Sequence, residues 1–246
     1  MKRTLAFFTA LLAATSLWAQ DTQVQNRPYT DLRPFHFGVM VGTHWQDLEF
    51  KNLGPQTVQG VEGTKTITVD QDRWDMGFTV GVLGEARLGT HFAFRLAPAM
   101  YFGTRHLTFM NLTDKDGNGD YVKQGQDLKS VYISTAMDFI FSAPRFNNHR
   151  PYLMVGFNPM LNLAGGDSDY VKLKKYDAFL EFGLGCDFYL PFFKLRPELK
   201  FCYSLTNSLD KGHKDRFLPN SPESYMYANA AKEARSKIIA LTFYFE

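Results

Sequence analysis

Eight times along this chain, apolar and polar residues alternate with a period of two, and the connections between these segments are alternately long and short. Period-two alternation marks a strand with one apolar and one polar face. Segments of about ten residues or more match a tilted membrane crossing. The connections run about 24 residues (Phe50 to Arg73), two (Gly89 and Thr90), then about 20 around Asn111 to Lys129. About six follow (Pro144 to His149), then about twelve (Ala164 to Lys175), three (Pro191 to Phe193) and about 28 (Thr206 to Arg235). Short turns on one rim and long loops on the other are the habit of outer-membrane barrels, whose long loops lie outside. A soluble sandwich has no reason to segregate loop lengths, although a periplasmic sandwich or lipocalin-like barrel is the competing architecture. The expected fold is therefore all-β: an eight-stranded antiparallel transmembrane β-barrel over residues 34–246, with short periplasmic turns and long extracellular loops.

The faces follow from parity. The first segment, Pro34 to Glu49, sets Phe35, Phe37, Val39, Val41 and Trp45 outward and His36, Met40, His44 and Gln46 inward. The others run from about Trp74 to Leu88, His91 to Arg105, Ser130 to Ala143, Tyr152 to Asn162, Asp177 to Leu190 and Lys194 to Leu205, ending with Ile238 to Glu246. In the last, Ile239, Leu241, Phe243 and Phe245 point to lipid, while Thr242, Tyr244 and Glu246 point inward. Pro98, Pro159 and Pro197 fall inside segments and are expected at bulges or strand ends.

Lys2 and Arg3 precede an apolar stretch from Leu5 to Leu17, and small Ala19 stands before polar Gln20 and Asp21. That is the layout of a cleavable secretory signal over residues 1–19, too short to span a bilayer. Residues 20–33 would then form a short periplasmic segment. The mean hydropathy of −0.25 does not argue against a barrel, because only alternate strand residues face lipid and the long loops are expected to be polar. A net charge of +2 implies neither a nucleic-acid nor an acidic partner. Cys186 falls on an outward position and Cys202 on an inward one, so both are expected to be free thiols.

An eight-stranded barrel is just wide enough for side chains to fill its interior. The inward set carries both signs: Arg87, Arg95, Arg105, Arg196 and Lys200 against Asp75, Glu85, Asp138, Glu181, Asp187 and Glu198. Buried charges need partners, so these residues are expected to form an ionic plug, without a conducting pore. Asp114, Asp116, Asn118 and Asp120 resemble the first half of a calcium loop, but Gly125 occupies the position of the bidentate Glu, and a solvated turn is favoured. The six histidines are scattered without metal-ligand spacing; His36 and His44 share a face roughly 26 Å apart at about 3.3 Å per residue. His106, Asp114, Asp116 and Ser130 lie near the outer rim, yet no spacing singles out a catalytic set. The expectation is a protein that is not an enzyme, with no cofactor, no metal and no small-molecule substrate. The run MYANAAKEARSK, within Glu223 to Lys237, is rich in helix formers and is expected to make either a short helix packed on the loop side or a lid or docking element for a partner.

The opening strand with its lead-in, TDLRPFHFGVMVGTHWQDLEF, and the closing LTFYFE resemble the PorT family of outer-membrane β-barrels. The resemblance implies a component of the type IX secretion system, needed for export of proteins across the outer membrane. It brings no set of functional residues to carry over. A filled interior makes the chain a poor conduit for folded cargo, which favours an accessory subunit beside a larger translocon, with outer-membrane lipid as its other partner. A small structural or adhesive barrel, acting through its extracellular loops, is the alternative.

Overall fold

The computed structural model describes residues 26–166, 169–218 and 221–246. The expected signal, and residues 20–25 of the segment after it, lie outside them. Among the described residues there are ten strands: β1 (Phe35–Asn52), β2 (Pro55–Gln56), β3 (Lys65–Gln71), β4 (Asp75–Arg87) and β5 (Phe92–Lys115), then β6 (Tyr121–Ser142), β7 (His149–Asn162), β8 (Tyr176–Tyr189), β9 (Lys194–Ser204) and β10 (Ala231–Phe245). Eight of them close into an antiparallel ring in the order β5-β4-β1-β10-β9-β8-β7-β6, sealed by pairing of β5 with β6. The seam between the first and last strands runs from Val39 opposite Phe245 to Asn52 opposite Ala231. Closure leaves no unpaired edge in lipid, which a spanning sheet requires. Among the described residues, no helix is long and apolar enough to cross a membrane.

Side-chain parity is as the alternation requires. Phe37 is 74% exposed and Leu153 60%, whereas inward Arg95, Asp138, Glu181 and Thr242 are fully buried. Both cysteines are free, Cys202 buried and Cys186 half-buried.

Three expectations are corrected. First, several long connections are strand. β5 and β6 run 24 and 22 residues, so the stretch from Asn111 to Lys129 is a hairpin standing above the membrane. It closes in a tight turn, where Gly119 takes a φ of +87° and donates its N–H to Asp116 O. The Phe50 to Arg73 connection contains β2 and β3, and β3 pairs with β5 beyond the end of β4, Val69 opposite Phe109. Second, Pro98, Pro159 and Pro197 lie mid-strand without bulges. Each is in register with one neighbour (Thr135, Ala178 and Phe243 respectively). On its other side the ladder skips two positions and resumes in the same register. A missing N–H interrupts hydrogen bonding without requiring an extra residue. Third, the helix-forming run is divided. A helix, α1 (Pro222–Ala228), ends there, and the residues from Ala231 onward are the loop-side half of β10. Pairing with β1 outweighs helix propensity of a few tenths of a kcal/mol per residue.

Close approach demands glycine at Gly156. A Cβ built there falls onto the buried Asp138 carboxylate and within 3.0 Å of Met137 O. Gly156→Ala should destabilise the barrel by about 1–3 kcal/mol through overpacking. Gly89→Ala, with open space around its Cβ position, should be neutral. The temperature at which folded protein converts to the slow-migrating gel form distinguishes them; equal temperatures would refute the packing account.

Candidate functional site

The lumen is filled in four tiers, each built from strand parity. At the short-turn mouth, the segment from Asn26 crosses the opening as a strap. Asn26 N–H donates to Asn148 Oδ1 (2.9 Å), its side-chain amide donates to Tyr189 O (2.9 Å), and Arg27 donates to Glu246 O (3.1 Å). A single turn of 3-10 helix (Thr30–Leu32) brings Asp31 against Arg145 (3.4 Å), Arg150 (3.8 Å) and the Tyr189 hydroxyl. The Arg145 guanidinium lies 3.5 Å from the centroid of the Tyr189 ring. A cavity of about 20 Å³ remains between Asp31, His36 and Asp187, little more than one water needs.

Above it lies the ionic tier. Glu198 accepts from Arg95 Nη1 (2.8 Å), the Tyr152 hydroxyl (2.6 Å) and the Tyr244 hydroxyl (3.1 Å), and lies 3.4 Å from Lys200 Nζ. Lys200 also reaches Asp138 and Glu181, each at 3.4 Å. Arg196 pairs with Glu85 (2.6 Å), Asp187 (2.6 Å) and the Glu246 side chain (2.5 Å). Arg95 faces the Tyr244 ring at 4.6 Å. Eight of the eleven expected plug residues thus meet in one network. Lys194 and Glu246 join it as a further ion pair, with His36 3.4 Å from Glu246. Alternation places His36 and Glu246 inward, a readable signal that the expected set left out.

The other three lie elsewhere. Arg105 belongs to a third, mostly neutral tier, donating to Gln46 Oε1 (2.9 Å) and Ser236 Oγ (3.1 Å), where Ser130 and His44 also meet Gln46. Asp75 is buried but serves the outer rim. It accepts the His106 backbone N–H (2.8 Å) and lies 2.8 Å from His106 Nδ1 and 3.1 Å from Arg73 Nε. Arg87 remains at the short-turn rim, donating to Gly89 O and Leu32 O.

The fourth tier is an apolar cap at the loop side, where polar loops were expected. Leu48, Ile67, Val69, Leu107, Phe109 and Leu128 project from the strand extensions and pack with Val171, Leu173, Leu209, Met226 and Ala234. α1 supplies Met226, and Gln56 donates to its carbonyl (2.8 Å). Gln126 spans to the main chain of Val171, donating to its carbonyl (3.0 Å) and accepting its N–H (3.1 Å). Lys65 ties β3 to the β5 tip through Asp114 (2.6 Å). This hydrogen bond holds the Asp114 carboxyl below its usual range and raises the Lys65 ammonium. Its contribution is therefore present above the ordinary carboxylate pKa and lost as pH falls through the depressed value.

The DKDGNGD stretch makes no cation cradle. Asp114 is engaged by Lys65 and Asn111, while Asp116 Oδ1 accepts the N–H groups of Asn118 (2.8 Å) and Asp120 (3.1 Å). His106 Nε2 faces Asp127 at 3.5 Å, and Ser130 is buried in the lumen, so the rim candidates do not converge.

The chain is similar in structure to the outer membrane protein OprG from Pseudomonas aeruginosa, at 12% identity and a TM-score of 0.44, over 85% of this chain and 91% of that one. Neisserial surface protein A matches at 12% identity and a TM-score of 0.40, over 86% and 98%. Ail, the attachment invasion locus protein of Yersinia pestis, solved in complex with the heparin analogue sucrose octasulfate, matches at 10% and 0.39, over 87% and 99%. No curated protein matches the chain. The family model described as outer membrane protein beta-barrel domain matches residues 18–210. With that match over most of its length, a closed ring of eight strands and an apolar outward band, the chain belongs to the outer membrane protein beta-barrel domain family and is a protein of the bacterial outer membrane.

Proposed function

We propose that this chain is a non-conducting, non-catalytic barrel that serves protein secretion as an accessory subunit, holding its capped loop-side structure against a larger translocon. The type IX system is the one implied by the PorT-like terminal segments. The observation carrying this reading is the lumen obstructed at every level: strap, ionic network, neutral tier and apolar cap. A passage for folded cargo would need all four to leave, breaking buried charge pairs whose disruption costs several kcal/mol each. The cap instead offers a rigid external surface, and rigid scaffolds commonly carry function on their loops.

In planar bilayers the purified barrel should show no large, steady conductance. In a deletion strain, secreted proteins should accumulate in the periplasm. Crosslinkers placed in residues 206–218 should capture a larger membrane protein. Steady porin-like currents would overturn the non-conducting reading. Normal secretion with altered surface attachment would overturn the secretion role in favour of the adhesive barrel, which the same external cap would suit.

A further inference from the structure

The wall of strands is uneven in height. β6 begins at Tyr121, but its ladder with β7 ends where Tyr132 faces Asn162, followed by one last bond from Leu163 N–H to Val131 O (2.8 Å). On its other flank β6 stays paired with β5 as far as Val122 opposite Asn111. From Val131 towards the loop side, the edge of β6 that β7 vacates therefore makes no further main-chain hydrogen bond among the described residues. Backbone groups of an antiparallel strand point alternately to its two neighbours. Since Val131 O points to the β7 side, so do the N–H and C=O groups of Lys129, Asp127, Gly125 and Lys123.

Free edges are commonly blunted by proline or a bulge. Neither occurs here: Val122 to Val131 contains no proline and runs in unbroken register with β5. The four edge residues have exposed side chains on the outer face, where an added strand would meet them as cross-strand neighbours. Lys123 and Lys129 repel cationic strands and attract acidic ones. Between them Asp127 lies 3.5 Å from His106 Nε2. Gly125 stands at the centre for no reason internal to the fold. It takes no positive φ, and a Cβ there would meet nothing nearer than Leu107 O at 4.0 Å. A glycine inside a strand weakens it and often marks a place where another backbone comes close.

We propose that this edge binds an extended peptide segment of a partner protein by strand addition, continuing the line of β7, with Glu, Lys, Phe and Glu at alternate positions. The first Glu faces Lys129, the Lys faces Asp127, the Phe covers Gly125 and the second Glu faces Lys123. Main-chain bonds supply the affinity of such sites and alternate side chains the sequence preference. An aromatic side chain covers the surface that a strand glycine leaves bare. A second copy of this chain does not fit. In copies sharing one membrane β6 always descends towards the bilayer, so its edge cannot meet its like antiparallel. The site is independent of the secretion role and stands under either function above.

The test uses the full-length folded barrel in micelles and a fluorescent peptide with Glu, Lys, Phe and Glu at every second position and Thr between them, read by anisotropy. The peptide should bind, and N-methylation of its Lys and Phe should abolish binding, because both amides face β6. Lys123→Glu with Lys129→Glu should weaken binding about tenfold, since opposite charges across the pair become like charges. A peptide with both Glu replaced by Lys should recover it. Gly125→Pro removes an N–H that β5 does not use, so it should abolish binding and leave the heat-modifiable gel mobility intact. The methylated peptide requires no change in the barrel and decides the matter even if the proline variant fails to fold. No binding of the parent peptide, equal binding of the methylated one, or undiminished binding by the charge-reversed barrel would overturn the proposal.

Discussion

A chain lacking Leu241 to Glu246 should fail to insert, yielding no species whose gel mobility changes on heating. These residues carry one end of the seam. Thr242, Phe243, Tyr244 and Phe245 pair with Gly42, Val41, Met40 and Val39 on β1, and with Glu198 to Leu195 on β9. Their loss leaves two facing strand edges unpaired in the hydrocarbon layer, at several kcal/mol for each unsatisfied group. It also removes Glu246, on which Lys194 and Arg196 converge. The loss is expected to be complete, because a barrel open at one seam is not a weaker barrel but a sheet with exposed edges. A truncated protein that inserts and still migrates faster before heating would refute this account.

The second large effect is expected at Glu198. Replacing it by Ala takes away the shortest ion pair of Arg95, leaving the longer contacts to Glu85 (3.4 Å) and Asp138 (3.9 Å), deprives two tyrosine hydroxyls of their acceptor, and removes one of three carboxylates around Lys200. Breaking a buried pair in this way costs about 3–5 kcal/mol, measurable as a lower urea midpoint for unfolding from micelles. Glu198→Gln, which keeps an accepting oxygen but no charge, should fall between. Replacing both partners, Arg95→Met with Glu198→Leu, should be less damaging than Glu198→Ala alone. Lys200 retains Asp138 and Glu181, and Glu85 retains Arg196. An unchanged midpoint for Glu198→Ala would show that the network does not hold the lumen together.

The eight crossings were readable because membrane and lumen impose opposite polarity on alternate residues, as Lys194 to Leu205 displays. What was not readable was where strands stop. Lys65 to Gln71 and Leu107 to Phe109 also alternate, yet beyond the bilayer alternation no longer means lipid on one side. Their apolar face covers the mouth of the barrel instead. The AKEARSK stretch misleads for a related reason: its local preference is helical, and the partner that overrides it, β1, lies far away in sequence. In the lumen, parity identifies which charges point inward but not their height. Asp75 and Arg87 share a strand face with Glu85 but stand at opposite ends of it, and so serve the two rims.

The strap at the short-turn mouth also has a temporal meaning. Asn26 and Arg27 bind Asn148, Tyr189 and Glu246, groups contributed by the turn before β7, by the end of β8 and by the residue that follows β10. Those groups lie along the continuous run of strands β6 to β10, whereas the strap leads into β1, so it fastens the lead-in of the first strand to the far side of the seam. A protease that cuts near Arg27 should therefore act faster on a chain whose seam is open than on the closed barrel, and its rate would serve as a clock for completion of the barrel.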